Sequence, residues 1–298
     1  YYGPHHRGLD DALEAKLTPV LYHPEQIDAL GRTARERGAG PLAFHLKIDT
    51  GMARLGVRPS GANELLDAAT STPGVVLRGL MSHLACADAA DAEPTHAQLR
   101  AFDAVVRAAR ARGIEPKHCH VSNSAGAIAF PASRFEAVRP GIALYGVSPF
   151  EGHVHAITAE LRPVMRIRSE IVALRTLDDG DRVGYGHTWM AEGERRIATI
   201  PMGYADGLSR ALSNRGHVCV RGKRAKIAGV VSMDLTTIDV TDIPGAALGD
   251  EVVVLGPQEG PLGSAQVTFE ETAKHLGTIP WEVVTSISRR VPRFYREP

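Results

Sequence analysis

The sequence predicts an α/β unit over residues 1–158 followed by a mostly antiparallel β unit over residues 159–298. Two observations carry this. Strand-like and helix-like segments alternate through the first half, the pattern of parallel strands joined by helical crossovers. After about residue 158 the helical period disappears until 268–277, and short β-rich runs separated by turn dipeptides such as Asp179-Gly180 and Arg221-Gly222 replace it.

In the first half, β-rich runs fall at 18–22, 42–48, 75–81, 117–122 and 135–138. Between them, residues 24–37 open on Pro24, place Ile27, Leu30 and Ala34 on one face and stop at Gly38. Residues 94–112 open on Pro94, stripe Leu99, Phe102, Val106 and Ala109, and stop at Gly113. The alternation fits either a doubly wound sheet or part of a (β/α) barrel. In the second half, 164–175, 195–202, 216–221, 225–240 and 250–256 read as strands.

Composition excludes several classes. The 34 Lys+Arg balance 34 Asp+Glu, so no basic excess exists to neutralise nucleic-acid phosphates. No apolar run approaches the roughly 18 residues of a membrane span. Cys86, Cys119 and Cys219 are too few and scattered for a disulfide framework or a zinc motif, and residues 1–25 lack a signal-peptide pattern. The expected setting is reducing and cytoplasmic, with no nucleic-acid or membrane partner and no metal.

Parallel α/β folds bind ligands beyond the carboxyl ends of their strands. Polar and small residues gather there in four successive loops: Asp49, Thr50, Gly51 and Arg54; Ser82, His83 and Asp88; Ser122, Asn123 and Ser124; Arg139 and Gly141. One such loop would be an ordinary helix cap, but four in a row point to a shared site. The last two expose backbone N–H groups suited to phosphate. In the second half, glycines flank Tyr185 and precede Tyr204, and the strand-like run 230–240 sets Met233 beside Asp234.

The segments HLKIDTGMARLGV (45–57), MSHLACAD (81–88), SNSAGAIAFP (122–131), VRPGIALYG (138–146), VGYGHTW (183–189), IPMGYADG (200–207), VVSMD (230–234) and SISRRVPR (286–293) resemble the alanine racemases, in order and over nearly the whole chain. The resemblance implies a (β/α)8 TIM-like barrel, here incomplete with about five of eight strands, followed by an antiparallel β-domain. It implies pyridoxal 5'-phosphate as cofactor, alanine as substrate, D-alanine supply for peptidoglycan, and a homodimer whose sites are shared between subunits.

The resemblance also implies roles. Ser124, Asn123 and the backbone of Gly141 and Ile142 would hold the phosphate. Arg139 would face the pyridine nitrogen; arginine only donates, so the ring stays a weaker electron sink than one paired with a carboxylate. Tyr185 would be the base for the L-enantiomer. A free phenol has a pKa of roughly 10, so such a base needs positive charge or donors nearby, which His83, backed by Arg139, could supply. Arg54, Tyr204, Met233 and Asp234 would bind substrate, and Lys47 would be a lysine that relatives can carbamylate. Arg289 stands where relatives often carry a phosphate-binding tyrosine; it could grip the phosphate or turn outward.

Rival readings are a racemase for serine or a broader amino-acid range, a decarboxylase on the same fold, and a non-catalytic dimerisation partner. His118-Cys119-His120, with both imidazoles on one strand face, raises a metal-dependent hydrolase. Core packing is the ordinary explanation of that pair.

The family's second base is the lysine that holds the cofactor as a Schiff base, in a KANAYGHG-like motif. None of Lys16, Lys47, Lys117, Lys223, Lys226 and Lys274 lies in such a context, and the first methionine is Met52. An N-terminally truncated, inactive chain is the expectation. Open sheet edges would then make residues 1–298 alone poorly soluble or partly molten. Calorimetry checks this; a single sharp cooperative melt of a dispersed dimer would count against it.

Overall fold

The computed structural model describes residues 9–38, 40–150 and 156–296. The chain divides into two compact units at residues 160 and 161, with 145–147 belonging to the second. Among the described residues no helix is long and apolar enough to cross a membrane.

The first unit runs α1 (Leu9–Glu14), β1 (Val20–Leu21), α2 (Pro24–Glu36), β2 (Leu42–Lys47), α3 (Ala62–Ser71), β3 (Val75–Met81), α4 (Glu93–Ala111) and α5 (Ser124–Ala129). Pro24 and Pro94 sit in the first turns of α2 and α4, where a missing N–H costs nothing. Both helices bury the stripe read from the sequence and end beside left-handed Gly38 and Gly113. The strands pair in parallel, β1 on β2 and β2 on β3. Phe44, Leu46 and Leu80 from the sheet pack with Leu30, Leu66 and Phe102 from the helices in one buried core.

Two of the expected strands in this unit are not regular strands. Residues 117–122 continue the parallel order beside β3: the N–H groups of Lys117 and His118 both donate to Arg78 O, and His120 N–H donates to Leu80 O. The only ladder bridge is Met81 with His120. Residues 135–138 follow along 119–122, with Glu136 N–H donating to Cys119 O and Arg139 N–H to Ser122 O. Phe135 has a φ of 27°, and the Glu136 carboxylate, not a backbone carbonyl, takes the Cys119 N–H. The segments thus follow one another in parallel order, as in a barrel and not a doubly wound sheet, while strand geometry fades across them.

The second unit holds β4 (Ile167–Glu170), β5 (Ala173–Leu177), β6 (Arg182–Val183), β7 (Trp189–Met190), β8 (Arg195–Ile200), β9 (His217–Val220), β10 (Lys223–Ile227), β11 (Thr236–Asp239), β12 (Glu251–Gly260) and β13 (Gly263–Val267). Helices α6 (Phe269–Leu276) and α7 (Pro280–Thr285) follow. The main sheet is antiparallel in the order β13-β12-β9-β10-β11-β8-β5, with β4 also on β12. The expected strand 164–175 breaks at Ile171 and Val172 because its halves serve different partners, β12 and β8. The expected strand 225–240 is β10 and β11 with a loop between. Gly229 turns the chain at φ 85°, and the loop backbone is committed elsewhere: the N–H groups of Tyr204 and Ala205 donate to Ser232 O and Met233 O.

Candidate active site

Each unit gathers site residues at one end of its sheet. In the first, β2 ends at Lys47, and the loop behind it closes where Val57 N–H donates to Lys47 O and Asp49 N–H to Val57 O. Inside the loop the Asp49 carboxylate accepts from Gly51 and Ala53 N–H, each at 3.0 Å. Burial works against ionising Asp49, but these donors and Met52 N–H outweigh it and hold the carboxyl below its ordinary range. Gly56, at φ 120°, lies so close that a Cβ would fall 2.8 Å from Asp49 N and 2.9 Å from Lys47 Cγ. The motif's Asp and second Gly are thus the parts of a loop that presents Arg54 at the surface.

Lys47 is 4% exposed. Burial, then the charges of Arg139 and Arg54, lower its pKa to about 8, with Asp49 opposing.

Arg139 is the hub. Its Nη2 donates to Ser82 O at 2.7 Å, to Val121 O at 3.3 Å and to His83 Nδ1 at 3.3 Å, while Nη1 donates to His120 Nδ1. A guanidinium only donates, so both imidazoles must accept at Nδ1 and carry their proton on Nε2. His120 Nε2 then donates to His45 Nδ1 across 2.9 Å, which fixes His45 as an Nε2–H tautomer in turn. Burial first, and Arg139 next, lower His83 to about 4 and His120 to about 3; burial, with the His118, Arg78 and Arg139 charges, lowers His45. His83 therefore offers an N–H donor and not the positive charge the sequence reading allowed it. Gly79 makes room for this row, since a Cβ there would lie 2.3 Å from His118 O and 3.0 Å from the His45 ring.

His118 and His120 do share a face, with ring centroids 6.2 and 5.0 Å from that of His45. Among the described residues no group of three or more His, Cys, Asp or Glu side chains is arranged to hold a metal. His45 escaped sequence reasoning as a site residue, and His120 entered it only as half of a metal-binding or core-packed H-x-H pair and not as a partner of Arg139.

The helix α5 begins beside this hub. Asn123 caps it, accepting from Gly126 N–H at 2.9 Å, and donates to Leu84 O at 3.4 Å. The cap, rather than a ligand, occupies that side chain. Buried Ser124 Oγ accepts from Gly141 N–H at 2.9 Å and from Ala143 N–H at 3.3 Å, and Ile142 between them is buried. A hydroxyl and two backbone N–H groups converge there.

In the second unit, Tyr185 rides a single 3-10 turn between Gly184 (φ 70°) and Gly186 (φ 68°) and is 71% exposed. Tyr204, Met233 and Asp234 are exposed on two loops held together from below. A Cβ on Gly203 would sit 2.3 Å from Ser232 O. Asp206 Oδ2 accepts from Gly203 N–H, and Arg290 donates to Asp206 at 2.7 Å and to Asp234 at 2.6 Å. Arg290, which sequence reasoning passed over, is the clamp; Arg289 is exposed and makes no hydrogen bond or ion pair among the described residues.

The neutral histidines imply a pH dependence. Unfolded, each titrates near 6.5; folded, His83 and His120 stay neutral down to about 4 and 3. Between those values the unfolded chain binds more protons, so stability is full above about pH 6.5 and falls as the pH drops, by roughly 1.4 kcal/mol per pH unit for each histidine. Urea unfolding at pH 7, 6 and 5 should show that slope. His120→Asn, which keeps an acceptor for Arg139, should flatten it; an unchanged slope would refute the assignment.

Residues 1–149 match the family described as alanine racemase, N-terminal domain, and residues 164–295 match alanine racemase, C-terminal domain. The expected loss of a preceding lysine-bearing segment is not confirmed by this match, which begins at residue 1. The chain is 54% identical to the alanine racemase of Sorangium cellulosum, covering 100% of this chain and 78% of that protein. It is 42% identical to that of Geobacter sulfurreducens, over 95% of this chain and 73% of that protein. Among solved structures, the alanine racemase of Streptomyces lavendulae superposes with a TM-score of 0.89 at 34% identity, covering 100% of this chain and 77% of that one. That of E. faecalis gives 0.88 at 31%, over 99% and 76%. With both domain families matched in order, an α/β barrel-like domain ahead of an antiparallel β-domain, the chain belongs to the alanine racemase family.

Proposed function

We propose that the protein interconverts L- and D-alanine with pyridoxal 5'-phosphate, and that its domains, 1–158 and 159–298, each supply part of the site. The observation that carries this is the Arg139 hub: a donor-only group locked by two carbonyls and two neutral imidazoles at the end of a parallel sheet. Its donor set suits the acceptor nitrogen of a pyridine ring. The cluster at Ser124, Gly141 and Ala143, all hydroxyl and N–H, suits a phosphate. When bound, the cofactor makes the Cα hydrogen of its attached amino acid acidic enough to leave as a proton.

The chain's own residues do the rest. The backbone of Gly141 and Ile142 with Ser124 holds the phosphate, Asn123 caps the helix that carries Ser124, and Arg289 lies within the segment assigned to the same task. Arg139 holds the ring nitrogen as an acceptor. Arg54, Tyr204, Met233 and Asp234 orient the carboxylate and limit side-chain size. Tyr185 is the base on the L face, and His83, through its Nε2–H, is the donor to its oxygen. The exposure of Tyr185 fits a homodimer in which it serves the barrel of a second copy. Racemisation needs a base on the opposite face, by resemblance a lysine in a motif that residues 1–298 do not contain. The setting is cytoplasmic and the product a peptidoglycan precursor.

In the active protein, Tyr185→Phe should slow conversion of L-alanine about 100-fold or more while leaving cofactor binding, read by absorbance, near wild type. A Phe variant with normal turnover would mean another base acts.

Lys47 is proposed to carry a carbamate. Near pH 8 much of its amine is neutral, so Nζ attacks CO2, an N–C bond forms and one proton leaves to solvent. The resulting anion sits between Arg139 and Arg54, replacing a cation they disfavour. Labelled bicarbonate should give a carbon-13 carbamate resonance that Lys47→Met abolishes; wild-type protein with no such resonance would remove the modification.

A further inference from the structure

One buried side chain links the two loops that carry His83 and Arg54, and it belongs to neither. Gln98 lies on the inner face of α4 and is 5% exposed. Its Oε1 accepts from Ala85 N–H at 2.8 Å, and its Nε2 donates to His83 O at 3.0 Å and to Thr50 Oγ1 at 3.2 Å. Thr50 Oγ1, an acceptor toward Gln98, also shares a hydrogen bond with Ser82 Oγ at 2.7 Å. The stem is used as well: Gly51, at φ 143°, approaches so closely that a Cβ would meet Gln98 Cγ at 3.4 Å.

We propose that Gln98 is a positioning residue that sets His83 and Arg54 relative to one another, an amide on a rigid helix pinning the loop after β2 and the loop after β3 as one body. The chemistry explains the residue type. The position faces one N–H and two acceptors, and only a primary amide supplies an acceptor and two donors at that reach. A carboxylate would turn lone pairs on the His83 carbonyl, and an apolar residue would strand buried polar groups. The link extends to Arg139, whose Nη2 is seated on Ser82 O and His83 Nδ1 in the loop after β3. The inference rests on the reading of His83 and Arg54 as site residues.

The test reads the His83 ring directly in the full-length protein, labelled with carbon-13 histidine, without cofactor or substrate. The signal is assigned by its loss in His83→Asn. The charged groups acting on this ring are Arg139, Lys47 and Arg54, all cationic. With the ring held against Arg139, wild-type His83 should stay neutral from about pH 8 down to about pH 5.5. Gln98→Met keeps length and volume but makes no bridge; its His83 should titrate within that window, a rise of about one pH unit or more, equal to a tenfold change in proton affinity. Thr50→Val, which removes one of the two acceptors of Gln98 together with the bond to Ser82 Oγ, should move the ring's chemical shift in the same direction by less, and it carries the test if Gln98→Met does not fold. Leu66→Ala, buried in the first unit's core and outside the hydrogen bonds that Gln98 makes, should lower Tm without touching the His83 signal.

With cofactor and alanine, Gln98→Met should raise KM and lower kcat, each about tenfold, through misplacement of Arg54 and His83. A His83 signal identical in wild type, Gln98→Met and Thr50→Val would overturn the proposal, as would an equal displacement in Leu66→Ala. Wild-type protein that fails to racemise alanine would sink the functional reading while leaving the titration result standing.

Discussion

A guanidinium inside a parallel sheet end organises the first domain. Arg139 cannot give up its charge and cannot accept a hydrogen bond, so its surroundings must accept. Two strand-end carbonyls and two imidazole nitrogens do so. That demand propagates: His120 must place its proton on the far nitrogen, His45 must receive it, and Gly79 must lack a side chain for His45 to lie there. A hub of this kind would be ruined by a single charged imidazole, and burial with the arginine's own field keeps those rings neutral.

The same field costs the fold something. A buried lysine beside two arginines and three imidazoles held neutral are all groups the unfolded chain would hydrate or protonate more readily. Concentrating cations and donors leaves this end of the sheet suited to an anionic or hydrogen-bond-accepting group. In the β-domain the balance is reversed. There Asp206 and Asp234 converge on Arg290, so the loops bearing Tyr204 and Met233 are tied by opposite charges near solvent, where an ion pair sets geometry more than stability.

Much of the fold was readable because burial leaves periodic marks. The stripes of α2 and α4 and their flanking Pro and Gly predicted both helices to within a residue or two. Segments 117–122 and 135–138 do run on beyond β3, but their β-rich composition could not reveal that Glu136 competes for a ladder donor. The run 230–240 alternates like one strand, yet Gly229 and the pull of the 203–205 backbone bend it into a loop. At the site, motif residues such as Asp49, Ser124 and Arg139 were legible. His45, His120, Gln98 and Arg290 were not, because each acts through a partner distant in sequence.

The sequence by itself determined the family, the two-part architecture and the chemical types at the loop ends, since those depend on local periodicity and on short motifs whose residues act within one turn of each other. Only the tertiary structure decided which nitrogen of each histidine carries its proton, which side chain ties the His83 and Arg54 loops, and that burial beside Arg139 disfavours a charged His83 ring. Those outcomes follow from burial and from hydrogen bonds spanning tens of residues, as in the bond from Gln98 to Thr50 or from Arg139 to Ser82. Proton positions are set by the sum of neighbours in space, a quantity that no run of residues along the chain contains.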